Sequence, residues 1–362
     1  MLKKVLKGIK WFFISLLGII VLFILICMIG RGINRITPKN GINESKYIDI
    51  NGTKQWISIY SENKDNPVLL YIHGGPFYPT SAVDFPMMKK LGKDYTVVNW
   101  DQRGVGHNYK IGPVEEATPE IMIKDGQEIT KYLKETFGVD KIMLWGSSWG
   151  SALGERLISE NPENYYAFLG TSAVWTTVEK RKAFKEEMLE KYKDDKEVQE
   201  LLNRFDPEVI HEDEAQHELT RELRKRCCED DNLTNSADFN IWTSFMFNPY
   251  ASPKQIYLMF AVYFDKDVMA NRNTLTPDDA KLIDTVFPTD VTEYEIPVYY
   301  LLGKKDEQPG TNYKAMEKYI NSISAPDKEI RYVDGGHFAA TIQSETIKDY
   351  LHDIKEKNIL NK

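Results

Sequence analysis

The sequence predicts an α/β protein: a mostly parallel central sheet flanked by helices, interrupted by a helical insertion and preceded by one long apolar helix. Three observations predict it. Short apolar runs that end in glycine-rich turns (PVLLYIHGG at 67–75, YTVVNWDQRG at 95–104, KIMLWGSSWG at 141–150) alternate with helix-like text such as 121–137, and strands alternating with helices imply a buried parallel sheet. From Val178 to Leu223 the sequence turns dense in Lys, Glu and Asp with apolar residues at helical spacing. Trp11 to Gly30 is an unbroken uncharged run.

At 1.5 Å rise per residue that run spans about 30 Å, the thickness of a bilayer's hydrocarbon core. Its length, with no Ala-x-Ala-like site after it, argues for an uncleaved anchor over a signal peptide. Lys3, Lys4, Lys7 and Lys10 precede the run and Arg31 and Arg35 follow it, so the positive-inside rule sets the amino terminus in the cytoplasm and the folded part outside. The expected organisation is a cytoplasmic segment at 1–10, a single transmembrane span at 11–30 and a linker at 31–45. The α/β core follows at 46–175 and 288–362, with the helical cap at 176–287 between its halves.

The chain has 362 residues, 42% of them hydrophobic and 28% charged, the balance of a globular protein with a sizeable core. Its formal net charge of -8 argues against a nucleic-acid partner, because neutralising phosphates requires an excess of Lys and Arg. Three cysteines, two of them adjacent at 227 and 228, provide no disulfide framework. No Cys or His pair has the spacing of converging metal ligands.

Past the linker, YIDI (47–50) and KQWISIY (54–60) flank Asn51-Gly52, the signature of a two-residue hairpin. After the insertion, PVYYLLG (297–303) and EIRYVDGG (329–336) resume the sheet, and an amphipathic helix over 341–355 closes it.

Gly146-Ser147-Ser148-Trp149-Gly150 follows the strand KIMLW directly and precedes a helix near Ser151. In that context a Gly-x-Ser-x-Gly turn forces Ser148 into a strained conformation with its hydroxyl at the carboxyl edge of the sheet. A hydroxyl is a poor nucleophile without a base in reach. Of the six histidines, His73 and His107 come before Ser148, His211 and His217 fall in the cap, and His352 lies inside the last helix, which leaves His337 in the loop after EIRYV. Asp306, after the strand PVYYLLG, is the expected acid that orients His337, preferred over Asp290 and Asp334. The backbone amides of Trp149 and Gly75 are the expected oxyanion donors, Gly75 because His73-Gly74-Gly75 lies in the loop after the first core strand.

Taken together, HGGP, DQRGVGHN (101–108), GSSWGS (146–151), GKKD and GGH resemble the proline iminopeptidases and their relatives among the α/β-hydrolases over roughly residues 45–356. The resemblance implies a cofactor-free serine hydrolase that removes an N-terminal residue, often proline, from short peptides under a helical cap. It also implies that DQRG is architectural, with Asp101 and Arg103 as an ion pair. This chain departs from the family in Phe77, where HGGPG is usual, and in His107-Asn108, where Arg-Ser is frequent. Cap carboxylates hold the substrate ammonium in such enzymes; Glu208, Glu212, Glu214, Glu218 and Glu222 all fall in that stretch, and none stands out. Trp242, Phe245 and Phe247 read either as cap core or as an apolar pocket. Two other functions fit the same sequence: a carboxylesterase or lipid hydrolase, and a non-catalytic scaffold of this fold.

Overall fold

The computed structural model describes residues 2–75, 80–108, 118–174, 178–208, 214–227, 240–252, 291–306 and 312–360. Helix α1 (Leu2–Asn34) stands off the amino terminus. Among the described residues it is the helix long and apolar enough to cross a membrane, judged by length and composition, and its apolar stretch is unburied.

Eight strands form one sheet in the order β1-β2-β4-β3-β5-β6-β7-β8. They are β1 (Ile42–Ile50), β2 (Thr53–Ser61), β3 (Val68–Ile72), β4 (Thr96–Trp100), β5 (Ile142–Ser147), β6 (Tyr165–Thr171), β7 (Val298–Gly303) and β8 (Lys328–Val333). The first two form the expected hairpin: Ile50 pairs Thr53 across Asn51-Gly52, both at positive φ, which suits the twist of a two-residue turn. β2 runs antiparallel to β4, and all later pairings are parallel. The expected linker is shorter than 31–45, because α1 continues to Asn34 and β1 begins at Ile42. The segment INESKY carries polar residues on an edge strand, where hydrophobic alternation is too weak to show a strand in sequence.

Alternation along the strands sends side chains to opposite faces. Val68, Leu70 and Ile72 join a core with Met122, Ile129 and Leu133 of α3 (Pro119–Phe137) and Leu153 and Leu157 of α4 (Trp149–Glu160). Leu69 and Tyr71 face the opposite core, with Phe85 and Met88 of α2 (Phe85–Leu91). Helix α3 starts where its sequence dictates, with the Thr118 hydroxyl accepting from the Ile121 amide, Pro119 in the first turn and Gly138 ending it in the left-handed region.

The insertion is helical where it is described: α5 (Val178–Lys191), α6 (Lys196–Arg204), α7 (Glu214–Cys227) and α8 (Ile241–Phe247). It has its own core of Phe184, Met188, Val198, Leu202, Phe205, Leu219 and Leu223. Within the expected cap, residues 209–213, 228–239 and 253–287, among them His211 and Cys228, lie outside the described residues, as does Asp290. At the carboxyl end, α9 (Tyr313–Ser322) follows β7, and the helix expected over 341–355 is two, α10 (Ala339–Ile342) and α11 (Ser344–Lys355), because Gln343 leaves helical geometry with ψ 75°.

Candidate active site

The turn from β5 into α4 sets the site. Ser148 has φ 53° and ψ -122°, a conformation an L-residue holds only under constraint. The constraint is close packing at the flanking glycines. A Cβ on Gly146 would lie 2.1 Å from the Gly150 carbonyl oxygen, and one on Gly150 would lie 2.1 Å from that of Ile72. Backbone therefore meets backbone on both sides of the serine, and the turn cannot relax outward. The Ser148 amide is held by the Thr171 carbonyl of β6 at 2.9 Å.

The three expected side chains meet here. His337 Nε2 lies 3.0 Å from Ser148 Oγ, and His337 Nδ1 lies 2.7 Å from Asp306 Oδ2. Asp306 and His337 are both buried, so water competes little for these bonds. Asp306 follows β7, where its amide donates to the Gly303 carbonyl at 3.0 Å and its own carbonyl accepts from Tyr313 at the start of α9. His337 sits in the loop after β8, tied back by the Lys305 amide, which donates to the Gly335 carbonyl at 2.8 Å. Asp334 instead pairs with Lys305 at the surface, 3.5 Å away.

Trp149 is the first residue of α4, so its amide has no partner within the helix. Gly75 adopts φ 121°, and Gly74 packs so closely that a Cβ there would be 3.1 Å from Ser148 Cβ. The HGG loop thus lies directly against the serine. Pro76 and Phe77 lie outside the described residues.

Gln102 links these parts, and sequence reasoning passed over it. Its amide donates to His73 Nε2 at 3.3 Å, its side-chain amide donates to the His73 carbonyl at 3.1 Å, and its side-chain carbonyl accepts from the Trp149 indole at 2.9 Å. His73 Nδ1 completes the pattern by donating to the Gly74 carbonyl at 2.7 Å. Burial holds the His73 pKa below its ordinary value, against the opposing pull of the Gly74 hydrogen bond and the Asp101 charge, as expected for a desolvated neutral ring.

Asp101 and Arg103 do not pair with each other, contrary to the expectation from DQRG. Arg103 forms a buried bidentate pair with Asp125 of α3, both contacts at 2.9 Å; Gln55 and Asn51 of the hairpin add bonds to the same carboxylate. Asp101 turns to His107, accepting from its amide and from Nδ1, each at 2.8 Å. The loop that carries the two side chains sends them to different neighbours, Arg103 to α3 and Asp101 to His107.

The remaining candidates scatter. Glu208 pairs with Lys182 on the cap surface and Glu222 with Arg226, while Glu212 and the side chains of Glu214 and His217 are outside the described residues. Phe245 is buried, but the Phe247 ring packs on Gly30 of α1 and Trp242 is exposed, so this trio does not converge on one pocket. His352 faces Asp94, 3.2 Å away at the surface.

The profile described as the alpha/beta hydrolase fold matches residues 67–340, from β3 to the loop bearing His337. The chain belongs to the α/β-hydrolase family. It is 36% identical over 140 residues to "Probable aminopeptidase YbaC" of Bacillus subtilis, covering 38% of this chain and 44% of that protein. A second relative, the proline iminopeptidase of Thermoplasma volcanium, is 27% identical over 157 residues, covering 41% and 50% respectively. The chain thus spans half or less of the length of these curated relatives. Among solved structures, a membrane phospholipase A, described as a bacterial virulence factor, superposes with a TM-score of 0.55 at 13% identity, covering 98% of each chain. The sequence likeness to aminopeptidases and the shared architecture with a phospholipase agree on the hydrolase fold and leave the substrate to the chemistry of the site.

Proposed function

We propose that this α/β-hydrolase is a membrane-anchored serine hydrolase that works through an acyl-enzyme, with an N-terminal aminoacyl group of a short peptide as its acyl donor. The observation that carries the reading is the continuous chain from Ser148 Oγ through His337 to Asp306, at 3.0 and 2.7 Å, on a strained turn at a helix start. His337 takes the hydroxyl proton as Ser148 Oγ bonds to the substrate carbonyl carbon, and Asp306 stabilises the imidazolium. The Trp149 and Gly75 amides receive the negative charge on the carbonyl oxygen. His337 then protonates the departing amine, and water, deprotonated by the same imidazole, releases the acyl group and restores Ser148. The aminopeptidase assignment draws on the names of the sequence relatives, and the anchor on the length and composition of α1.

A second reading, an esterase or lipid hydrolase, is favoured by one feature: the end of α1 packs on α8 of the helical insertion, so a bilayer around α1 would lie next to that insertion. Fluorophosphonate labelling of the full chain, then a panel of aminoacyl arylamides and acyl esters, tests both. Labelling lost in Ser148→Ala and cleavage of free-amine arylamides support the peptidase. Hydrolysis of esters alone moves the assignment to the second reading, and unlabelled wild type defeats the enzyme proposal, leaving a non-catalytic scaffold.

A further inference from the structure

The junction between α1 and the cap has a defined register. Arg31 Nε donates to the Met246 carbonyl at 2.8 Å, Asn34 Nδ2 to that of Phe247 at 2.8 Å, and Arg35 Nε to that of Pro249 at 3.0 Å. Partner numbers rise together, so the chain from the end of α8 to Pro249 runs in the same sense as the end of α1, on which α8 packs. The Phe247 ring lies against Gly30 closely enough that a Cβ there would be 2.3 Å from it. Along α1, Cys27, Gly30, Arg31 and Asn34 are partly covered while most of the apolar helix is exposed; this spacing marks one helix face. Cys27 and Gly30 belong to the uncharged run itself.

Running back from Met246, α8 therefore descends alongside the last turn of the span, by about 1.5 Å per residue. Its start carries Ile241 and Trp242, and Trp242 is 48% exposed, one of few large hydrophobic side chains outside α1 that are open to solvent among the described residues. Tryptophan concentrates at the boundary between headgroups and acyl chains, where an apolar ring with one polar N–H is best accommodated. Arg31, Arg35 and Lys89, whose ammonium reaches Asn34 Oδ1 at 3.4 Å, place cations at the same level, complementary to lipid phosphates.

We propose that α8 is an interfacial helix: the base of the cap rests in the headgroup layer beside the anchor, with Trp242 inserted at its apolar boundary, and the partner of this surface is the lipid bilayer. The inference rests on the reading of α1 as a membrane anchor. Its consequence is that part of the helical insertion sits at the membrane surface.

The test uses the full chain with Cys27, Cys227 and Cys228 replaced by serine and Trp242→Cys labelled with an environment-sensitive fluorophore, in vesicles of phosphatidylcholine and phosphatidylglycerol. Emission should shift to the blue relative to detergent-free water, and nitroxide lipids labelled near the headgroup should quench it more than those labelled deep in the chain. Water-like emission indifferent to both nitroxides overturns the proposal. So does a blue shift insensitive to nitroxide and lost on dilution of the protein in lipid, which would mean that a second copy covers the site. Leu22→Cys in the same background reports the anchor separately: deep nitroxide should quench it most, and its failure to do so would remove the anchor and the inference with it. As a label-free measurement, brominated lipid should quench the tryptophan emission difference between wild type and W242F; an unquenched difference counts against insertion.

Discussion

The Ser172 hydroxyl donates a hydrogen bond to the backbone carbonyl of His337. Ser172 sits just past β6 at φ 49°, and its oxygen is also 3.1 Å from Thr341 Oγ1, which in turn lies 2.7 Å from Ser147 Oγ. Three hydroxyls from the ends of β5 and β6 and from α10 thus fix the loop that presents the imidazole to Ser148. Ser172→Gly removes the bond yet suits the positive φ, whereas Ser172→Ala removes the bond and keeps the backbone strain. Both variants should lose kcat, by up to about 10²-fold if the ring moves by an ångström, with KM little changed. Only Ser172→Ala should lower Tm. Steady-state kinetics with thermal unfolding checks this, and wild-type kcat in the glycine variant would show that the bond does not position His337.

Strain at Ser148 has a measurable cost. Ser148 holds φ 53°, and a non-glycine residue in such a region costs about 1–3 kcal/mol. Ser148→Gly is expected to raise Tm by a few degrees while abolishing fluorophosphonate labelling. A Tm equal to or below wild type, read by calorimetry, would place the constraint elsewhere.

The Arg103–Asp125 pair should be expensive to break from either side. Both side chains are nearly inaccessible to water, and breaking a buried pair by removing one partner costs about 3–5 kcal/mol. Arg103→Met and Asp125→Leu alone should each lower the urea midpoint strongly, and the double variant should recover much of the loss. Additive losses in the double-mutant cycle would refute a coupled pair.

Asp84 provides a pH signature. Desolvation, aided by the nearby Asp101 charge, pushes its pKa up to about 7, although Asn99 opposes this by donating to it at 2.7 Å. A carboxyl whose pKa is higher folded than unfolded binds more protons in the native state. Its contribution is therefore most favourable below the unfolded pKa near 4 and declines as pH rises through 7. Asp84→Asn should flatten the decline in stability between about pH 4 and 7 and be relatively more stable than wild type at alkaline pH. Denaturant titrations at several pH values decide, and parallel profiles for the two proteins would contradict the shift.

The parts legible in sequence were those carried by local pattern. Apolar runs ending in glycine gave the strands, Gly146 and Gly150 around Ser148 marked the turn, and chain order singled out His337 and Asp306 because the other histidines fell in the wrong elements. What stayed hidden depends on distant partners. Asp125 reads as one more polar residue of an amphipathic helix, and only the folded hairpin brings Gln55, Asn51 and Arg103 around it. Gln102 and Ser172 are ordinary loop residues until the sheet brings their neighbours within hydrogen-bonding distance. The pairing assumed for Asp101 and Arg103 failed for the same reason: proximity along the chain is not proximity in space.

The bonds from Arg31, Asn34 and Arg35 to the carbonyls of Met246, Phe247 and Pro249, at and just past the end of α8, bear on any attempt to produce the folded part without α1. Starting the chain at β1, past Arg35, would do more than discard an apolar helix. It would leave three main-chain acceptors without donors and strip the Phe247 ring of its cover at Gly30. A shortened protein would then carry a loosened cap and a new sticky patch, so its activity would misrepresent that of the intact molecule.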